Sequence, residues 1–215
     1  MDNPQYLKKI FLIGYSGHAY VVLDSISEQG LTVGGYFAKD YNVDNPYELD
    51  FFGDEMAEDV GQILTNHYIF PCIGDNKVRE RVIGFIASKG FSQLAIIDKT
   101  ALVSEKVTIG LSTFVGKNAC INSLVKIGKG VIINTGAIIE HECLIGDFSH
   151  VAPNATLAGN VTLGKRVFFG VGAVAKQGIT IGDNSVIGAG SVVISDIPAN
   201  EVWAGNPARK MKELG

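Results

Sequence analysis

The chain has 215 residues, enough for two modest domains, and its 47% apolar content is that of a protein with buried cores. Eighteen basic against 22 acidic residues leave a net charge of −4, without the basic runs that nucleic acid or an anionic lipid surface requires, so neither partner is expected. No apolar stretch approaches a membrane span, and Ile10 to Ile13 is too short for a signal core. The three cysteines, Cys72, Cys120 and Cys143, show no C-x-x-C spacing and read as reduced packing residues in a cytoplasmic protein.

Residues 9 to 98 alternate between strand-like and helix-like segments. Lys9 to Ile13 predicts a strand, Gly14-Tyr15-Ser16-Gly17-His18 a turn, and Ala19 to Gln29 a helix. A strand follows at Thr32 to Phe37, a helix around Glu55 to Leu64, a strand at His67 to Ile73 and a turn at Gly74-Asp75-Asn76. A helix from Lys77 to Lys89 and a short strand near Leu94 to Ile97 complete the series. This order predicts a small parallel α/β domain over 1–99. Glycine turns that open helices suit a phosphate, because free backbone amides and the helix dipole both favour an anion. Asn76 and Arg79, three apart, are positioned to face one anion; the plainer alternative is an exposed helical arginine. Gly14-x-x-Gly17 does not satisfy G-x-G-x-x-G, which argues against a redox dinucleotide.

From Val103 to Val193 every sixth residue is apolar. Period six fits neither a helix nor a hairpin; it predicts a β-solenoid over 100–215, one short strand and one turn per hexad, with the repeated aliphatics stacked inward. A second small residue two positions earlier shares the interior. Gly and Asn directly after the inward residue are expected to supply positive φ at the bend. If three hexads make one coil of 18 residues, Gly159 stacks one coil above His141. The segment Pro198 to Arg209 is expected to close the solenoid, with Trp203 packing there or against an adenine.

Only four histidines occur, and His141 and His150 interrupt the repeat at positions that project outward. An outward histidine is usually a solvated bystander, but Glu140 and Glu142 flank His141, and a carboxylate beside an imidazole orients its tautomer and raises its basicity. The sequence leaves open which glutamate does so. A zinc site would need a third histidine in the repeat, so no metal is expected.

Five segments carry a family likeness: Phe11-Leu12-Ile13-Gly14-Tyr15-Ser16-Gly17-His18, Ile73-Gly74-Asp75-Asn76-Lys77-Val78-Arg79, Ile139 through Gly146, Phe148-Ser149-His150-Val151, and Ala204 through Arg209. The chain resembles hexapeptide-repeat sugar acyltransferases of the NeuD/PglD type, in particular nucleotide-linked 4-amino-sugar N-acetyltransferases. The resemblance implies a Rossmann-like N-terminal domain that holds the sugar nucleotide and a left-handed parallel β-helix. It also implies a homotrimer, with acetyl-CoA in a groove between neighbouring subunits. It gives His141 the role of catalytic base and Glu142 that of its partner, and places His150, Gly159, Val171 and Ala189 against acetyl-CoA. Asn134 falls near the amino sugar, and Ser16, Gly17, His18, Asp40, Gly74, Asn76 and Arg79 around the nucleotide. Where relatives carry paired aspartates after the second strand, this chain reads Ala38-Lys39-Asp40, so the base remains open.

The activity so implied is acetyl transfer from acetyl-CoA to the amine of a nucleotide-linked 4-amino-4,6-dideoxy sugar for bacterial surface glycans. Two rivals stand beside it. O-acetylation of a sialic acid or another sugar would use the same histidine, and a non-catalytic sugar-nucleotide-binding scaffold would not need the Glu-His-Glu triplet.

Overall fold

The computed structural model describes residues 8–55 and 60–215. The first strand, β1 (Ile10–Ile13), enters helix α1 (Gly17–Glu28) through the Gly14 turn and returns as β2 (Val33–Phe37). After the described part of the next helix, α2 (Val60–Leu64), come β3 (Tyr68–Pro71), α3 (Asn76–Ser88) and β4 (Ser92–Gln93). Residues 56–59, within the segment expected to be helical, lie outside the described residues. The four strands form one parallel sheet in the order β2-β1-β3-β4. Its faces are covered separately: α1 packs with Leu12, Tyr36 and Phe70, while α2 and α3 pack with Phe11, Ile13 and Ile69.

The segment expected as a single strand near Leu94 to Ile97 is divided. Ser92–Gln93 completes the first sheet, whereas Ile96–Ile97 pairs with Phe114–Val115 in the solenoid. The solenoid therefore starts ahead of residue 100. From there about six left-handed turns follow, and each two-residue strand pairs in parallel with the strand 18 positions on, as Ile132–Ile133 does with His150–Val151. Three sheets result, and they form the faces of a triangular prism. The docked face includes Phe114–Val115, Ile132–Ile133, His150–Val151 and Phe168–Phe169; the second face includes Ile138–Ile139 and Val174–Ala175; the third includes Leu144–Ile145 and Thr162–Leu163. The inward residues make one continuous core from Val115 to Val193.

Positive φ falls elsewhere than expected: it occurs three residues after the inward position, at Asn118, Leu124, Glu142, Phe148, Asn154 and Arg166 among others. Glycine directly after the inward residue has a different cause. A Cβ on Gly146 would stand 2.5 Å from the Gly164 carbonyl of the next coil, so the requirement there is close approach. Residues 201–205 extend the docked face and pair antiparallel with 208–213, closing the solenoid with a hairpin. Trp203 packs against the core there, and its Nε1 donates to Glu201.

The N-terminal domain sits on the docked face through a shared apolar cluster that joins Ala19, Val22 and Ile26 of α1 to Ile96, Phe114 and Ile132. Buried Asp98 accepts from Ser25 Oγ at 2.5 Å and from Thr100 Oγ1 at 2.6 Å. Burial alone would raise its carboxyl pKa, but these hydrogen bonds outweigh burial and hold it below the usual range.

Candidate active site

His141 occupies the corner between the second and third faces, the vertex of the prism opposite the docked face. Glu142, left-handed at φ +62°, turns the chain so that its carboxylate comes back to the imidazole, with Oε2 3.1 Å from Nδ1. Strict alternation would have sent the two side chains apart; the bend brings them together and decides between the flanking glutamates. A carboxylate at Nδ1 fixes the proton there and leaves Nε2 as the acceptor. Nε2 lies over Gly159, where a built Cβ would approach within 2.6 Å of it. Glycine at 159 thus keeps the ring's working edge open. Both His141 and Glu142 are about half exposed.

The second histidine sits in another environment. His150 projects from the docked face beneath the N-terminal domain, and Asn134 Nδ2 lies 3.1 Å from its Nε2. Asn134 Oδ1 accepts from Thr135 N, so the amide's NH2 faces the ring and the imidazole proton belongs on Nδ1. That nitrogen and His18 Nε2 are the two buried side-chain polar atoms without a hydrogen-bond partner among the described residues. Burial, followed by the charge of Arg79, pushes His18 down to about 4; burial, then Arg79 and then His18 push His150 to about 3. Both rings are neutral at physiological pH.

Arg79 is not placed to face an anion, and it is not exposed either. At 1% exposure its guanidinium donates to the carbonyls of Ile73 and Gly74, of Gly130, and of Phe148 and Ser149, and to Asn76 Oδ1. Asn76 Nδ2 donates in turn to the Arg166 and Val167 carbonyls. These two residues, expected at a phosphate, clip α3 to the solenoid instead. Asp75, which the sequence reading passed over, accepts from Val78 N at 2.8 Å and already puts a carboxylate at the start of α3. Its place three residues before a helical amide was the available signal.

The start of α1 is different. Ser16 makes no side-chain cap, and a Cβ on Gly17 would meet nothing within 4 Å, so this helix end is open to a ligand. Gly74, Asn76, His150, Arg166, Phe168 and Val186 line a cleft of about 620 Å³ between the two domains. Asp40 is exposed after β2, and neighbouring Lys39 borders a separate cleft of about 390 Å³ with Asp54 and Arg81. Val171 and Ala189 stack one coil apart, both exposed, at the corner between the docked and second faces. One chain therefore does not unite the expected residues. His141, Glu142 and Gly159 stand at the far corner, while Ser16, His18, Gly74, Asn134 and His150 lie on or beside the docked face. Among the described residues no group of three or more His, Cys, Asp or Glu is placed to hold a metal, and no helix is long and apolar enough to cross a membrane.

Known proteins share this fold. Residues 9–86 match the PglD N-terminal domain, residues 124–159 the six-repeat bacterial transferase hexapeptide and residues 154–195 the hexapeptide repeat of succinyl-transferase. The crystal structure of PerB from Caulobacter crescentus, in complex with CoA and GDP-perosamine, is 34% identical and superposes with a TM-score of 0.90 over 96% of this chain and 98% of that one. A histidine-to-alanine variant of the same GDP-perosamine N-acetyltransferase, again with CoA and GDP-perosamine, gives 33% identity and 0.91 over 96% and 98%. The acetyltransferase domain of PglB from Neisseria gonorrhoeae gives 30% and 0.86 over 95% of this chain and all of that domain. With a PglD-type N-terminal domain, hexapeptide coils and full-length likeness to these enzymes, the chain belongs to the PglD-type family of hexapeptide-repeat sugar N-acetyltransferases.

Proposed function

We infer that the protein transfers the acetyl group of acetyl-CoA to the amine of a nucleotide-linked 4-amino-4,6-dideoxy sugar, working as a cytoplasmic homotrimer. The observation that carries this reading is the His141–Glu142 pair at the far corner, its Nε2 free above Gly159. The solved PerB complexes, which hold CoA and GDP-perosamine, support it.

The neutral sugar amine attacks the thioester carbonyl and forms a tetrahedral intermediate. His141 Nε2 takes the proton from the new ammonium, and Glu142 stabilises the imidazolium that results. Collapse expels the CoA thiolate, which the imidazolium protonates, leaving an amide and a thiol. No covalent enzyme intermediate is required. Ser16, Gly17 and the Gly74 turn would hold the nucleotide, with Asn134, His18 and His150 around the sugar and the acetyl group.

The homotrimer we infer is supported by where these groups stand. The base occupies the vertex farthest from the domain that binds the acceptor, so a neighbouring copy must bring its own far corner to the docked face. The second face supports such contact: Leu102, Ile138 and Val174 project outward from alternate coils, with Cys120 and Thr156 between them, and are exposed by 70%, 38% and 40%.

The test is turnover of acetyl-CoA with UDP-, GDP-, dTDP- and CMP-linked 4-amino sugars, with free sialic acid as the O-acetylation arm. A hydroxylamine-stable amide on one amino sugar supports the reading. An ester product, or binding without turnover, would replace it with one of the rivals.

A further inference from the structure

Arg79 is a buried cation whose acceptors are all neutral. Its guanidinium bonds to five backbone carbonyls and to the Asn76 amide oxygen, and it forms no ion pair among the described residues. Burial pushes it down to about 10, which leaves it charged at neutral pH. Carbonyls alone do not call for a full positive charge, since an uncharged donor could serve them at a smaller desolvation cost.

Two of the bonds act on the turn before α3. Nη1 donates to the carbonyls of Ile73 and Gly74 at 3.0 and 2.9 Å. In a trans peptide the N–H points opposite to the C=O of the same unit, so drawing these carbonyls toward the guanidinium turns the amides of Gly74 and Asp75 away from it. Neither amide has an acceptor among the described residues, both residues line the cleft of about 620 Å³, and a Cβ on Gly74 would meet nothing within 4 Å. Nη2 donates to the Phe148 and Ser149 carbonyls at 2.7 and 3.3 Å, directly ahead of His150 in the same cleft. One side chain thus sets the turn and the histidine strand in a common frame.

We propose that Arg79 is a positioning residue for the sugar nucleotide: from behind the turn it aims the Gly74 and Asp75 amides at the phosphates and keeps them in register with His150, without touching the ligand. The proposal rests on the acetyltransferase reading, which places the nucleotide at this turn. The cation also offsets the Asp75 carboxylate, which stands at the start of α3 and by itself repels a phosphate. The planar fork matters as well as the charge, because a lysine ammonium cannot hold carbonyls from the turn and from two solenoid coils at once.

The test measures inhibition by GDP and UDP, and by guanosine and uridine, beside the KM of acetyl-CoA and of the sugar nucleotide that the protein turns over. In Arg79→Met the KM of the sugar nucleotide and the inhibition constants of the diphosphates are expected to rise on the order of tenfold, while the nucleosides and acetyl-CoA keep their wild-type values. Arg79→Lys, which keeps a buried cation without the fork, is expected to behave alike, and it carries the test if Arg79→Met does not fold. Glu80→Gln weakens the hold of α3 on the solenoid by another route, since Glu80 accepts from Arg166 at 2.9 Å, and should leave every value unchanged. Nucleosides weakened as much as diphosphates, an equal change for acetyl-CoA, the same change in Glu80→Gln, or diphosphates and sugar nucleotide unaffected overturns the assignment. A wild-type protein that turns over no nucleotide-linked amino sugar instead refutes the acetyltransferase reading, and with it the role given to Arg79.

Discussion

At the scale of single residues, chemistry depends on which nitrogen of an imidazole is free. Glu142 settles this for His141, so His141→Ala is expected to lower kcat by about 10²- to 10⁴-fold in a folded protein, measured as acetyl-CoA turnover. Glu142→Gln should cost less, because the amide can still hold the ring but no longer balances its charge. His18 and His150 give a second prediction. Their folded values of about 4 and about 3 lie below the free imidazole value of 6.5. A depressed folded value means stability is fully present above pH 6.5 and is lost as pH falls from there toward the folded values, because the unfolded chain takes up protons first. Thermal melting across pH 7 to 4 should show that decline, and His150→Gln should flatten it. The His141–Glu142 pairing was legible only in part. Sequence put two carboxylates beside the ring, but the left-handed turn that selects one of them was not visible. The part Arg79 plays at the domain junction was not legible, since the Gly130, Phe148 and Ser149 carbonyls it serves come from solenoid turns more than 50 positions away.

The repeating hexad shows at the scale of elements why one part of the pattern was readable and another was not. Inward apolar residues recur without exception, so period six announced the prism. The left-handed position three residues on holds glycine or asparagine at most coils, among them Asn118, Gly130, Gly136, Asn154, Asn160, Gly172, Gly178, Asn184 and Gly190, but Ser112, Leu124, Glu142, Phe148 and Arg166 interrupt the series and hide its phase. The glycines directly after the inward residue answer to the coil above. Gly146→Ala should therefore destabilise the solenoid by about 1–3 kcal/mol in denaturant titration, because its methyl would meet the Gly164 backbone. Small polar residues inside the turns are likewise engaged: Ser149 Oγ donates to Gly164 O at 2.7 Å, Thr113 Oγ1 to Gly128 O at 2.9 Å and Cys143 Sγ to Ala158 O at 3.3 Å. Arg79 extends this economy across the domain junction. Arg79→Met would leave its buried carbonyls unpaired and should cost on the order of 3 kcal/mol.

For the molecule as a whole, the proposed base and the N-terminal domain stand on opposite sides of one prism, so the proposed active site is one shared between neighbours. An inactive His141→Ala protein and an inactive His150→Ala protein, unfolded together and refolded as a mixture, should regain part of the activity that neither has alone. Mixed assemblies contain seams where an intact far corner meets an intact docked face. If the mixture stays as inactive as its parents, one chain must hold a complete site. Sequence carried the two domains and the projection of both histidines. Their distance from each other around the prism emerged only once the 18-residue coil fixed which corner each one occupies.

The 18-residue coil also constrains how this chain can change its length. Removing six residues between His141 and Gly159 rotates everything beyond the cut by one face, so Gly159 would leave the edge that carries His141. Removing 18 deletes one storey and leaves every later side chain pointing as before. Viable insertions and deletions in this half should therefore come in whole storeys, and each would change the length of the prism by a fixed increment of about 4.8 Å. The prism is a measuring rod graduated in eighteens.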